Sequence, residues 1–150
     1  MNSSVPKPLG KNRGGYLGEP LNLPLFLREL DEVSACHGWR SEIFFDDGSI
    51  RLSALRRTIG TPMRRIYISA GIHGDEPAGP LAILELLKDN NWGDAVDLWI
   101  CPCLNPTGLA RNTRENATGH DLNRQYRHPQ QVCPCWPPGY WPSLLGSFCR

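Results

Sequence analysis

Apolar residues recur along the chain in two rhythms, one at helical intervals and one in short strand-like runs, and their order predicts an α/β unit. From Leu23 onward, Leu23, Phe26, Leu27, Leu30 and Val33 follow helical spacing. Asn22 stands where a cap is wanted, Pro24 falls in the first turn where no donor is missed, and Gly38 closes the segment. A helix packed on a sheet is expected there. Ile43 to Phe45 and Ile50 to Leu55 are separated by Asp46-Asp47-Gly48, a hairpin signal because the glycine supplies the positive dihedral of a tight turn. Residues 56–61 lead through Pro62 into Ile66, Tyr67, Ile68 and Ala70, a partly β-branched run expected to lie inside a sheet. Gly71 and Gly74 then let the chain turn sharply. Pro77 and Pro80 suit a first helical turn, and Pro80, Ile83, Leu84 and Leu87 repeat on one helical face. Val96 to Cys101 is another apolar run, so strand, helix and strand in succession predict a crossover between parallel neighbours.

Composition divides the chain around this periodic centre. Residues 1–20 read as a flexible arm rich in glycine and proline, and residues 21–128 as the domain. From Pro129 to Arg150 the chain carries Pro129, Pro134, Pro137, Pro138 and Pro142, two tryptophans and three cysteines, with no acidic residue. Such proline density suits neither helix nor strand, and a reading-frame slip near Gln130 would account for a tail unrelated to the domain. Hydrophobic residues make up 40% of the whole, enough for a core. A net charge of +1, from 16 basic and 15 acidic residues, leaves no electrostatic footprint for nucleic acid or an anionic membrane. Met1 to Gly15 is polar and offers no signal-peptide core, and no span is long enough to cross a bilayer, so a cytoplasmic protein with reduced cysteines is expected.

The chemistry-bearing residues stand just past the last two predicted strands. His73 and Glu76 follow the first, and their His-x-x-Glu spacing lets an imidazole and a carboxylate face one metal ion, for which zinc fits best. Taken alone, the pair could equally be ordinary turn residues. Asn105-Pro-Thr-Gly108 breaks the chain after the second strand, and Arg111, Arg114, Asn116, Asp121, Asn123 and Arg124 then crowd a segment with few apolar residues. This is either a solvated polar loop or a fork of cationic and amide donors suited to a carboxylate and a developing oxyanion.

In order and type, His73-Gly-Asp-Glu76, Asn105-Pro-Thr-Gly108, Arg114-Glu-Asn-Ala-Thr-Gly119 and Asp121-Leu-Asn-Arg124 resemble the zinc carboxypeptidase family. Its superfamily includes the succinylglutamate desuccinylase and aspartoacylase group. The resemblance covers residues 63–128 and implies an α/β fold, a mixed sheet with helices on both faces, of which the amino-terminal part is present and the rest missing. It implies His73 and Glu76 as zinc ligands, Arg114 as the catalytic group that polarises the scissile carbonyl, and Asn123 and Arg124 as the pair that holds the substrate's terminal carboxylate. Asp75 and Asp121 are expected to support or shape the turns, Arg111 to be solvated or packed against the loop, and His37 to be an ordinary helix-end residue.

The activity so implied is zinc-dependent hydrolysis of an amide bond adjacent to a free carboxylate, in a small peptide or an N-acyl amino acid. The family's third ligand is a histidine well downstream and its general base a glutamate further on. Here only His128 follows Arg124, and no Asp or Glu follows Asp121. A truncated enzyme, weakly active or inactive as it stands, is therefore expected; the alternative is a non-catalytic carboxylate-binding module without a complete metal site. His120 and His128 are the candidate substitute ligands. Cys101-Pro-Cys103 and Cys133-Pro-Cys135 could form a thiolate site, although structural zinc sites usually separate paired cysteines by two or more residues.

Overall fold

The protein was analysed as a computed structural model that describes residues 20–46 and 48–124. Expectations for residues 1–19, for the tail, and for His128, Cys133 and Cys135 lie outside the described residues. Four strands, β1 (Arg40–Asp46), β2 (Arg51–Arg57), β3 (Arg64–Ser69) and β4 (Val96–Cys101), form one sheet in the order β1-β2-β4-β3. β1 and β2 pair antiparallel, as do β2 and β4, whereas β3 and β4 run parallel, with Ile68 opposite Ile100. The sheet is mixed, and the crossover from β3 to β4 passes through helix α2 (Ala78–Asp89).

Because that crossover seats β4 between β2 and β3, β4 takes the central place and is buried from Asp97 to Cys101. β3, expected inside the sheet, is an edge strand among the described residues, and its Ile66 is 40% exposed. The hairpin also differs in detail. Asp46, expected to open the turn, is the last residue of β1 and pairs with Arg51. The Asp46 carboxylate accepts from the Gly48 N–H at 2.9 Å and from Arg51 Nε at 3.1 Å, holding the loop shut.

Helix α1 (Leu23–Cys36) begins as its sequence indicates, with the Asn22 side chain accepting from the Leu25 N–H at 3.1 Å. Its Phe26 and Leu30 meet Ile83, Leu84 and Leu87 of α2, Leu109 of the short helix α3 (Pro106–Arg111), and Leu52, Leu55, Leu98 and Ile100 of the sheet in one core. The opposite sheet face carries a smaller cluster of Ala54, Cys101 and Leu104. There the Arg56 guanidinium lies 4.7 Å from the ring centre of Trp99. None of the helices among the described residues is long and apolar enough to cross a membrane.

Cys101 and Cys103 are buried and free, and they belong to the two different clusters, so they do not converge on one ion. Burial pushes the Cys103 thiol up to about 12 and raises Cys101 as well, which keeps both protonated rather than ready as thiolate ligands. Brief alkylation at neutral pH should therefore modify exposed Cys36 and spare Cys101 and Cys103 until the chain is unfolded. Peptide mass mapping checks this, and native-state labelling of either buried thiol would contradict the core described here.

Candidate functional site

The parallel pairing of β3 with β4 continues past the strand ends: Ala70 N–H donates to Cys101 O, Leu104 N–H to Ala70 O, and Asn105 N–H to Gly71 O at 2.8 Å. Two loops are thus held side by side at the carboxyl end of the parallel pair, where α/β sheets place their sites. Gly71, at φ +67°, makes the sharp turn that the sequence indicates. Gly74 serves a different purpose. Its φ is not positive, yet a Cβ there would overlap the carbonyl carbon of Gly108, so the His73 turn lies directly against the backbone of α3.

Asn105 ties this junction together. It is 1% exposed; its Oδ1 accepts from the Gly108 N–H at 2.9 Å and caps α3. Its Nδ2 donates to the carbonyls of Ile72, at 3.2 Å, and Arg114, at 3.3 Å. One amide therefore joins the His73 turn to the Arg114 loop, a role that sequence reasoning missed by treating Asn105 as the start of a chain break. The signal was available: an Asn-Pro pair opening a segment with glycine three residues on is a helix-cap pattern.

Asn116, expected among the substrate-facing donors, turns inward instead. Its Oδ1 accepts from the N–H groups of Thr118 and His120 and from the Thr118 hydroxyl, closing its own loop. Short polar side chains at such spacing satisfy the local backbone before they reach outward. His120 is likewise committed locally, with Nδ1 2.8 Å from the Thr118 hydroxyl, and the structure does not bring it to His73 as a substitute ligand. Arg111 is exposed at the end of α3, and His37 occupies the C-cap of α1, both as expected.

His73, Glu76, Arg114 and Asp121 come together. His73 Nε2 lies 3.1 Å from Asp121 Oδ1, and Arg114 Nε donates to Asp121 Oδ2, also at 3.1 Å. Glu76 Oε1 is 3.3 Å from His73 Nδ1 and 3.6 Å from Arg114 Nη1. Burial works against the charge on Asp121, but the bonds from His73, the Asn123 N–H and Arg114 outweigh it and hold this carboxyl below the usual carboxylate range. An ionised carboxylate only accepts, so His73 Nε2 is the donor, and in the neutral ring the lone pair falls on Nδ1.

That lone pair supplies the test of whether a metal fits. Nδ1 is buried and makes no hydrogen bond, although Glu76 Oε1 is close, because the pair lacks hydrogen-bond geometry. In the neutral ring with Nε2 as donor, Nδ1 and Glu76 Oε1 are two electron-rich atoms facing each other, an arrangement that suits a cation, and the nitrogen and oxygen donors suit zinc. His73 and Glu76 thus fit as part of a metal site. Among the described residues, no group of three or more His, Cys, Asp or Glu is arranged to hold a metal ion. Asn123 and Arg124 sit on a 3-10 turn (Leu122–Arg124) directly after Asp121, with exposed side chains. The Asn123 N–H donates to Asp121 Oδ1 at 3.0 Å, which fixes this turn to the cluster.

A mixed sheet thus gathers a histidine, two carboxylates and an arginine at the end of its parallel pair. Residues 62–132 match the succinylglutamate desuccinylase/aspartoacylase catalytic domain. The chain is 34% identical over 86 residues to carboxypeptidase 2 of Trichophyton tonsurans, a stretch equal to 50% of this chain and 16% of that relative. Its fold resembles that of a protein from Shewanella amazonensis SB2B assigned as a metallopeptidase, with a TM-score of 0.58 and 30% identity, covering 67% of this chain and 39% of the other. It also resembles a metallo-carboxypeptidase from Pseudomonas aeruginosa, solved with (2-guanidinoethylmercapto)succinic acid. That likeness has a TM-score of 0.68 at 20% identity and covers 87% of this chain and 37% of the other. The chain is thus similar, over part of its length, to metallocarboxypeptidases and to the succinylglutamate desuccinylase/aspartoacylase catalytic domain, and it spans well under half the length of these relatives.

Proposed function

We propose that the chain carries the first metal ligands and the carboxylate clamp of a zinc-dependent hydrolase, acting on an amide bond next to a free carboxylate. The substrate class is the carboxy-terminal residue of a small peptide or an N-acyl amino acid. The observation that carries this reading is the unbonded, buried His73 Nδ1 facing Glu76 Oε1 beside Arg114. His73 and Glu76 would hold the zinc, whose chemistry is to polarise a carbonyl and make water more acidic. Arg114 presents a guanidinium at the same place, suited to the oxygen of the scissile carbonyl as negative charge develops. Asn123 and Arg124 provide an amide and a planar fork that can pair with both oxygens of a carboxylate.

Metal uptake is expected to depend on His73 and to be weak, since two protein ligands leave the remaining positions to water. Zinc content per chain after dialysis under reducing conditions should fall in His73→Ala; unchanged content would place the metal elsewhere. Carboxylate binding should depend on Arg124 independently of zinc. Arg124→Lys replaces a fork with a point charge and should cost about 1 to 3 kcal/mol of affinity. Titration with N-acyl amino acids reads this, and equal affinity in the variant would remove Arg124 from the clamp.

A further inference from the structure

We infer that Asp121 is a positioning residue that links metal binding at His73 to the placement of Arg114, so that neither is set without the other. The inference rests on the metal reading above and adds the coupling. The contacts form a closed ring: Asp121 to His73, His73 to Glu76, Glu76 to Arg114, and Arg114 back to Asp121. Within it, the two oxygens of Asp121 are divided between partners, Oδ1 to His73 Nε2 and Oδ2 to Arg114 Nε. A carboxylate is planar with a fixed spacing between its oxygens, so rotating to follow one partner moves the acceptor away from the other. The Asn123 N–H on Oδ1 restrains that rotation further. A cation at Nδ1 makes the imidazole Nε2–H a stronger donor, which draws on the same carboxylate that orients Arg114.

Asp121→Asn separates this from a merely structural role, because an amide offers one acceptor and one donor. It can satisfy His73 or Arg114, and it sets an N–H against the other. Zinc affinity is measured by competition with a chromophoric chelator, and the Arg114 Nε–Hε group by its NMR resonance, assigned through its loss in Arg114→Lys. In the unsubstituted chain, zinc should shift the Arg114 resonance, and His73→Ala should abolish the shift. In Asp121→Asn, zinc affinity should fall roughly 10 to 100-fold, as for other groups that orient a metal's histidine, and the Arg114 resonance should move or exchange away.

An Arg114 resonance that ignores zinc in the unsubstituted chain would overturn the linkage, and this measurement needs no variant of Asp121 to fold. Unchanged zinc affinity in a folded Asp121→Asn chain would overturn it too. If instead His73→Ala leaves zinc affinity unchanged, the metal assignment itself has failed and the linkage falls with it.

Discussion

Gly74→Ala is expected to destabilise the chain by about 3 kcal/mol or more, at the upper end of what overpacking costs and a large share of a small domain's stability. The added methyl would meet the Gly108 carbonyl group and the Leu109 nitrogen, which are backbone and cannot turn aside as a side chain would. Relief requires the His73 turn and α3 to separate. That separation would stretch the Asn105 bonds to Ile72 O and Arg114 O, so the loss extends to the site. Gly60→Ala is the control, since a Cβ there meets nothing within 4 Å, and it should change stability by no more than about 0.5 kcal/mol. Denaturant unfolding of both variants decides the matter; equal stability would mean that the two loops are not in contact.

The second large effect concerns catalysis. The 150-residue chain with added zinc is expected to hydrolyse peptides or N-acyl amino acids far more slowly than a chain in which residues 62–124 continue into the remainder of the fold found in its relatives. Hydrolysis of this kind needs a held metal, a polarised carbonyl and a base within reach of the attacking water. On the proposed reading His73 and Glu76 would supply part of the first and Arg114 the second, while no Asp or Glu follows Asp121 among these 150 residues. General acid-base catalysis alone is worth roughly 100 to 10,000-fold, and incomplete metal ligation adds a loss of occupancy. Release of free amino acid, compared between the two chains, measures the difference. Comparable rates, lost again in Arg114→Ala of the 150-residue chain, would show that its own residues complete the site.

Much of this architecture could be read from periodicity because each element carries its own pattern. The Asn22 cap and the stripe from Leu23 to Val33 mark α1 locally, and the strand-helix-strand order is enough to pair β3 with β4. The His73 and Arg114 motifs were legible as residue types at the ends of those strands, and the fold brings them within contact of each other. Misreadings arose where a residue's role depends on what packs beside it. Gly74 looks like any turn glycine until α3 is placed against it, and Asn116 looks like a free donor until its own loop closes on it. The place of β3 in the sheet was hidden for the same reason, since the number of neighbours a strand acquires is a property of the sheet and not of its six residues.

Asn105 also bears on how such a protein would age. Asparagine side chains lose their amide when the backbone nitrogen of the next residue attacks the side-chain carbonyl, and that attack requires an N–H. The next residue here is Pro106, whose ring nitrogen has none. Conversion to aspartate would set a carboxylate against the Ile72 and Arg114 carbonyls, with no hydrogen left to donate to either. The proline that opens α3 therefore also closes the main route of spontaneous chemical damage at the residue joining the two loops.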